Sequence, residues 1–453
     1  MSYTEEQSRY INYDKKTHTK LLACAGSGKT RCIIARINKL IENDSYKYNE
    51  IMMLTFSRLT RDDFIGKIES YGLFADPQKV IGQINTIDSF AKRIVDRDDT
   101  VDVSLLSYKL MKYLESEDPM ELAKNVELAK IKTVFIDEAQ DLNEIQYMIF
   151  CHMRDKLGII INMVGDPNQN IFQFRKSSDK YLKEFVAEEF KLTNNFRSHE
   201  SVVNFSNFLR PFEENDVVCQ KGSNGCEPLM MFYEDENILE MNILDILEEA
   251  KKRGIDMSKF AILAPTRGRM RGGGRSHGLC FVSNILYKAG FKFKQFYEES
   301  VDEANGAGIK YAPTPDHVNV LTYMGSKGLE WDYVIIIDAN ACLINKRQFN
   351  EEKHRGDQYL LYVACSRAIQ NMYIFSKCYF KDGAPHFNTN PWFNKVPDVF
   401  YQIDDRYAKT FYYSKPKYID MMEKNNKLSK IIDNLDCFDL DCLSNLIGYQ
   451  TRK

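Results

Sequence analysis

The stretch Leu21-Leu22-Ala23-Cys24-Ala25-Gly26-Ser27-Gly28-Lys29-Thr30 constrains this chain more than any other. An apolar pair closes a short buried strand, small residues follow, and Gly-Lys-Thr opens a run, Arg31 to Leu40, with apolar residues at helical spacing. Strand, small-residue loop and helix in that order form a phosphate-binding loop. Backbone N–H groups of Ala25, Gly26, Ser27 and Gly28 then face the phosphates, and the helix dipole favours their negative charge. Lys29 is placed to reach the β and γ phosphates and Thr30 to hold Mg²⁺. The pattern departs from Gly-x4-Gly-Lys-Ser/Thr at its first glycine, which is Ala23.

Around this loop the first half of the chain alternates strand-like and helix-like runs. Ile51 to Thr55, Val80 to Asn85, Thr133 to Ile136 and Ile159 to Val164 are rich in β-branched and apolar residues, and each ends in polar residues. That arrangement predicts an open parallel sheet with its ligands outside the carboxyl ends of the strands. From Val101 to Lys130, Leu105, Leu106, Leu110, Met111 and Leu114, then Leu122, Val126 and Leu128, fall at helical spacing and predict a small helical insertion. A second α/β pattern starts after Leu209, with strands at 228–233, 260–264, 318–321, 334–338 and 371–375 and a helix at 238–247. The tail from Tyr379 is rich in aromatics with few sheet signals and predicts a helical and loop appendage.

The chain has 453 residues, 44% apolar and 28% charged, ample for about two to four domains. A net charge of −3 means that any nucleic-acid contact comes from a local groove rather than from bulk charge. The eleven cysteines show neither a disulfide framework nor zinc spacing, which fits free thiols in a reducing compartment. A polar N-terminus and the absence of an apolar run near ~20 residues give no signal peptide and no membrane span, so a cytoplasmic location is expected.

The second chemical signal is Val134-Phe135-Ile136-Asp137-Glu138-Ala139-Gln140-Asp141. An acidic pair ending a buried strand suits ATP hydrolysis: Asp137 reaches Mg²⁺ through water, and Glu138 takes the proton of the attacking water. Together with the phosphate loop and Gly165-Asp166-Pro167-Asn168-Gln169, this resembles a superfamily 1 helicase of the UvrD/Rep group, in a compact form with reduced accessory domains. Further motifs of that group follow in order. Thr4-Glu5-Glu6-Gln7 resembles its adenine-reading glutamine motif. Leu54-Thr55-Phe56-Ser57-Arg58 and Thr86-Ile87-Asp88-Ser89-Phe90 resemble its single-strand motifs. Asn195-Phe196-Arg197-Ser198, Gly325-Ser326-Lys327-Gly328-Leu329-Glu330-Trp331 and Tyr362-Val363-Ala364-Cys365-Ser366-Arg367-Ala368 complete the series.

The resemblance implies an α/β fold of two RecA-like P-loop NTPase domains with parallel sheets, a small helical insertion and a C-terminal appendage. Residues 1–100 plus 131–208 would form the first motor domain, 101–130 the insertion, 209–377 the second motor domain with a reduced insertion near 297–317, and 378–453 the appendage. ATP would bind in the cleft between the motor domains. Gln7 would read adenine, Phe196 would stack on it with Arg31 on the other face, and Glu330 would bond the ribose. Gln169 would sense the γ-phosphate, and Arg197 and Arg367 would act as arginine fingers, since planar guanidinium groups suit charge on phosphate oxygens. Lys29, Asp137, Glu138, Gln169, Arg197 and Arg367 thus form the expected hydrolytic set, with ATP and Mg²⁺ as cofactors.

On the DNA side, Phe56 and Phe174 are candidate base-stacking platforms, with Arg175 beside Phe174. Thr86, Ser89 and Thr322 offer hydroxyls to phosphates. Arg267, a candidate DNA contact, lies in a basic, glycine-rich run from Pro265 to Gly278. Cys24, Asp88 and Met324-Gly325 depart from the group's pattern, and both accessory insertions are short. The reading is an ATP-dependent single-stranded DNA translocase or helicase, 3′→5′ by resemblance, acting on a 3′ tail as a monomer or within a complex. The alternative is a nucleotide-gated DNA-sensing or adaptor subunit that licenses a partner nuclease or a replication or repair factor. An RNA strand is a further substrate that the sequence leaves open.

Overall fold

The computed structural model describes residues 3–95, 103–173, 176–212, 216–267, 278–296, 313–340, 351–381, 384–387 and 389–403. The chain forms two compact units. Of the described residues, the first holds those up to Arg197 and 216–218, and the second holds 198–212 and those from Cys219 onward.

The first unit is built on strands β1 (Thr19–Ala23), β2 (Ile51–Thr55), β3 (Ile84–Thr86), β4 (Thr133–Ile136), β5 (Ile160–Gly165) and β6 (Glu188–Leu192). They form one sheet in the order β3-β2-β4-β5-β1-β6, parallel at every pairing. Successive strand residues point to opposite faces, and the sequence is apolar at both parities, so both faces are covered. Ile51, Met53, Phe135 and Val164 join one core, with Tyr10 and Ile11 of α1 (Glu5–Ile11), Ile33, Ile34 and Ile37 of α2 (Lys29–Glu42), and Phe64 and Ile68 of α3 (Arg58–Tyr71). Met52, Leu54, Val134, Ile136, Ile161 and Met163 join the other.

The helical insertion covers this second face. Leu106, Leu110 and Leu114 of α5 (Val103–Ser116) pack into that core with Phe90 and Ile94 of α4 (Ile87–Val95). Leu122 of α6 (Pro119–Lys124), Leu128 of α7 (Val126–Lys130) and Phe150 and Met153 of α8 (Glu144–Leu157) complete it. Each fully buried leucine contributes about 1.5–3 kcal/mol. Leu105 and Val126 point outward instead, at 48% and 61% exposure, so the helical spacing holds on a narrower stripe than the sequence suggests. Asp88, a departure from the family pattern, accepts a hydrogen bond from Ser107 Oγ at 3.0 Å and ties α4 to α5.

The run Val80 to Asn85 is not one strand. Pro77–Ile81 is a helical turn, capped by the Asp76 carboxylate accepting from Lys79 N, and the strand starts only at Ile84. Proline at the first helical position and an aspartate cap outweigh the β-branched pair Val80-Ile81.

Arg36 of α2 is 2% exposed. Its guanidinium lies 4.6 Å from the centre of the Tyr10 ring, 5.4 Å from that of Tyr13 and 5.9 Å from that of Phe135, and Nη1 donates to Thr19 Oγ1 at 3.3 Å. Among the described residues no carboxylate forms an ion pair with it, so ring faces and packing hold the charge. Arg36→Ala is expected to destabilise the protein by about 3 kcal/mol, and Arg36→Leu, which refills the volume, by less than half of that, read from urea midpoints.

The second unit carries β7 (Leu229–Tyr233), β8 (Phe260–Ala264), β9 (Phe293–Gln295), β10 (Val318–Thr322), β11 (Trp331–Ile336), β12 (Ala368–Lys381), β13 (Ala384–Phe387) and β14 (Gln402–Ile403). The sheet order is β9-β10-β8-β11-β12-β7-β14, parallel throughout, with β13 antiparallel on β12. Helices Glu236–Lys252 and Leu279–Lys288 cover one face through Leu239, Ile243, Ile246, Val282 and Ile285. The segment after Lys377, expected as helix and loop, contributes β13 and β14 here. Aromatic burial holds it: Phe393 and Tyr401 lie with ring centres 5.9 Å from that of Phe205, and Phe400 lies 5.4 Å from Phe208. Residues 404–453 and 297–312, parts of the expected appendage and second insertion, lie outside the described residues.

Candidate nucleotide site at the strand ends

A parallel sheet puts all its strand carboxyl ends on one edge. In the first unit that edge carries the phosphate loop after β1, Phe56 after β2, Thr86 at the end of β3, Asp137-Glu138 after β4 and Asp166 after β5.

The phosphate loop is folded as an anion cradle. Gly26 and Gly28 have φ of +70° and +78°, the left-handed region that favours glycine. Gly28 caps α2, so that helix starts at Lys29. A Cβ on Gly26 would lie 2.6 Å from Arg197 Cβ and 3.0 Å from Asn195 Nδ2. The segment after β6 is laid across the loop: Asn195 Nδ2 donates to Ala25 O at 2.9 Å, and Phe196 N donates to Gly26 O at 2.9 Å. Ser27 Oγ is buried and has no hydrogen-bond partner among the described residues. Ala23 is 3% exposed and belongs to the core, so the alanine at the first glycine position serves the sheet.

Gln7 is 5% exposed, and both ends of its amide are engaged. Oε1 accepts from Thr4 N at 3.1 Å in a capping box, and Nε2 donates to Ser27 O at 3.0 Å. In this structure the glutamine braces the phosphate loop. Its neighbour Glu6 accepts from Thr193 N, Thr193 Oγ1 and Asn194 Nδ2 at 2.7–2.9 Å, a clamp on the same segment that the sequence reading did not single out. Arg31 lies 4.7 Å from the centre of the Tyr3 ring, which adds Tyr3 to this corner. Phe196 is 41% exposed.

Lys29 reaches across to β4. Its Nζ lies 3.2 Å from Asp137 Oδ1 and 2.5 Å from Glu138 Oε1. Burial works to lower the lysine pKa, but Asp137 and then Glu138 outweigh it and hold the ammonium above its ordinary range. Burial pushes the Asp137 carboxyl up, against the pull of Lys29. Lys29 thus faces both carboxylates, and an acidic pair of this kind also suits a divalent cation. Among the described residues no group of three or more His, Cys, Asp or Glu forms a self-contained metal cage. Magnesium at nucleotide sites commonly takes only one or two protein ligands plus phosphate oxygens, so Thr30 and Asp137 fit it.

From Glu138 a hydrogen-bonded series crosses to β5. Gln140 Nε2 donates to Glu138 Oε2, Gln140 Oε1 accepts from Asp166 N, and Gln169 Nε2 donates to Asp166 Oδ2, at 2.5, 3.0 and 2.7 Å. Gly165 makes room for it, since a Cβ there would lie 2.2 Å from Gln140 Oε1. Gln140 and Gly165 stood inside the quoted motifs but received no role from the sequence, because only the packing of β4 against β5 brings them together.

The loop after Gln169 continues to Phe172, whose ring stacks on Phe56 with centres 5.5 Å apart and planes 23° apart. Phe172, missed from the sequence, is thus the partner of a residue that was singled out. Phe174 and Arg175 lie outside the described residues, as do residues 268–277 of the basic glycine-rich run. Thr86 Oγ1 accepts from Ser89 N at 3.1 Å, so both residues sit at the start of α4.

In the second unit, Thr322 ends β10 and its Oγ1 accepts from Gly325 N at 2.9 Å, the same turn as at Thr86. Arg267 follows the adjacent β8 and is exposed, as is Glu330 before β11. Arg367 is 1% exposed, and its guanidinium donates to Val363 O, Leu329 O and Ser366 Oγ at 2.8–3.3 Å. It is therefore bonded within its own unit, whereas Arg197 belongs to the first unit beside Gly26.

A family model described as the UvrD/REP helicase N-terminal domain matches residues 3–100 and 93–189, and one described as the UvrD-like helicase C-terminal domain matches residues 292–378. The chain belongs to the UvrD-like superfamily 1 helicases. This UvrD-like chain is 37% identical over 461 residues to "Putative ATP-dependent DNA helicase R568" of Acanthamoeba polyphaga mimivirus, an alignment covering 99% of this chain and 63% of the relative. It is 23% identical to the Gabija protein GajB of Bacillus cereus, over 54% of this chain and 56% of that one. To DNA helicase II of Haemophilus influenzae it is 31% identical over 118 residues, covering 25% of this chain and 16% of that protein. The UvrD-like chain therefore spans less than two thirds of each relative's length. Among its described residues no helix is long and apolar enough to cross a membrane.

Proposed function

We propose that this chain hydrolyses ATP to move along single-stranded DNA, in the 3′→5′ direction, and to separate duplex strands. The observation that carries this reading is the edge of the first sheet, where a glycine-bent phosphate loop, a lysine bridging two carboxylates and an aromatic pair stand at the carboxyl ends of parallel strands. The direction rests on the family alone. In this reading Lys29 and the loop N–H groups bind the phosphates, and Glu138 accepts the proton of the attacking water. Thr30 and Asp137 hold Mg²⁺, which when bound supplies positive charge to the phosphate oxygens. Gln169 orients the γ-phosphate side. Gln7 braces the loop and, with Arg31, Phe196 and Glu330, recognises the nucleoside. Arg197 and Arg367 stabilise the charge that builds during transfer, which for Arg367 requires release from its carbonyl partners.

Phe56 with Phe172, Thr86, Ser89, Thr322 and Arg267 hold the strand, as do Phe174 and Arg175 by family resemblance. Base stacking on an aromatic is worth about 1–3 kcal/mol per base. Phe56→Ala is therefore expected to weaken binding of an oligothymidylate about tenfold or more, with ATP hydrolysis in the absence of DNA unchanged, measured by fluorescence anisotropy and phosphate release. The function itself is tested by ATP hydrolysis with and without single-stranded DNA, then RNA, and by displacement of a labelled strand from duplexes with 3′ or 5′ tails. Hydrolysis indifferent to either strand would overturn the reading. Displacement from 5′ tails alone would overturn the direction. A protein partner is part of the proposal, since a relative 30% identical over 182 residues is named a subunit of a larger enzyme, "RecBCD enzyme subunit RecB".

A further inference from the structure

Glu138 is held by donors at both carboxylate oxygens, Lys29 at Oε1 and Gln140 at Oε2. Its backbone sits in the left-handed region, with φ of 54°, a conformation that a non-glycine residue keeps only when its surroundings hold it. The two donors have different fates once phosphate arrives. Lys29 is the cation that the phosphates attract, whereas Gln140 is fully buried, in the short turn Ala139–Asp141. The Gln140 amide can face only one way: Asp166 N donates to its Oε1 at 3.0 Å, so its Nε2 is the end that meets Glu138. Gly165 lets the amide sit close against the end of β5, since a Cβ there would overlap Oε1. Beyond Asp166 the series runs through Gln169 and the Ile171 N–H bonded to Gln169 O, and reaches Phe172 on Phe56.

We propose that Gln140 is a positioning residue: it keeps the Glu138 carboxylate in place when Lys29 turns to phosphate, and it makes nucleotide binding and single-strand binding depend on each other. The proposal rests on the reading above of an ATP-hydrolysing, strand-binding protein. Gln140 touches neither substrate nor strand. It acts through Glu138 on one side and the Asp166 loop on the other.

The discriminating variant is Gln140→Glu. Its carboxylate oxygen still accepts the Asp166 N–H, but it offers no N–H to Glu138. Gln140→Met, similar in length and without polar atoms, removes both bonds and serves if the charged variant does not fold. Two readouts are needed: kcat and KM for ATP at saturating single-stranded DNA, and the affinity for an oligothymidylate with and without a non-hydrolysable ATP analogue. The expected result is a fall in kcat of about tenfold or more with KM within about threefold, since positioning of the base matters to the reaction and not to ground-state binding. The factor by which the analogue changes strand affinity should shrink toward one in both variants, because binding linkage is reciprocal and this is its proposed link. Wild-type kcat and wild-type linkage in Gln140→Glu would overturn the proposal. So would a parallel loss of all affinities with the linkage factor intact, which marks a role in folding alone. A wild-type protein whose ATP hydrolysis ignores DNA defeats the functional reading itself, and the proposal with it.

Discussion

Lys29→Ala is expected to lower DNA-stimulated ATP hydrolysis about a thousandfold or more, because in the proposed function the ammonium both binds the phosphates and offsets charge built during transfer. The same change should be visible without nucleotide. Asp137 and Glu138 side chains are 3% and 18% exposed, and Lys29 faces both. Removing one partner of a buried ion pair typically costs about 3–5 kcal/mol, and the partial exposure of Glu138 places this case near the lower end. The pH dependence has a definite sign. The lysine pKa is raised in the folded state, so its stabilising contribution is complete through neutral pH and is lost only above the ordinary lysine range. The Asp137 carboxyl is pushed up by burial, and more so without Lys29, so the variant recovers stability as pH falls and the carboxyl takes a proton. Thermal melts of the two proteins should therefore lie far apart at pH 7.5 and draw together toward pH 5. A constant gap would mean that the lysine stabilises by packing and not by charge.

Gly26→Ala is the second large effect. At φ of +70° an alanine costs about 1–2 kcal/mol in backbone strain. Its Cβ would also stand 2.6 Å from Arg197 Cβ and 3.0 Å from Asn195 Nδ2, and overpacking of this kind costs about 1–3 kcal/mol more. Arg197 Cβ, fixed to its backbone, cannot swing away as a side-chain tip can. The loop or the segment 195–197 must move, which breaks the bonds from Asn195 Nδ2 to Ala25 O and from Phe196 N to Gly26 O. ATP affinity is expected to fall about a hundredfold, equivalent to ~2.8 kcal/mol, measured by titration with a fluorescent nucleotide. Gly72→Ala is the control: its φ is 58° with nothing near the added Cβ, so it carries the strain cost without the collision and should leave nucleotide affinity unchanged.

Local chemistry made the chemical parts of this site legible in the sequence. The phosphate loop is contiguous, and glycines that need positive φ, a lysine and a threonine stand in fixed order along it. The strand ending in Asp137-Glu138 is likewise contiguous, and two-sided apolar strands announced a covered parallel sheet. The helical insertion was visible as leucines at helical spacing, although Leu105 and Val126 were assigned to a face that the fold turns to solvent. At Val80-Ile81 and in the segment after Lys377 the fold differs from the strand pattern because of a cap at Asp76 and aromatic burial on Phe205, one too short and the other too distant for strand patterning to register.

By itself the sequence determined which groups can bind phosphate, take a proton and stack on bases, because those properties belong to residue types and their order. Only the tertiary structure decided which of them meet. Strand order places β5 between β1 and β4, so Gln140 of one strand end can bond Asp166 of the next, and a glycine at 165 is required for it. The glycine-bearing loop is read as a phosphate site from its own residues. The fold adds that the segment 193–197, nearly 170 residues downstream, lies across that loop and makes Gly26 a packing requirement as well as a bend, because contacts at such separation follow from how strands assemble and leave no local signature in the chain.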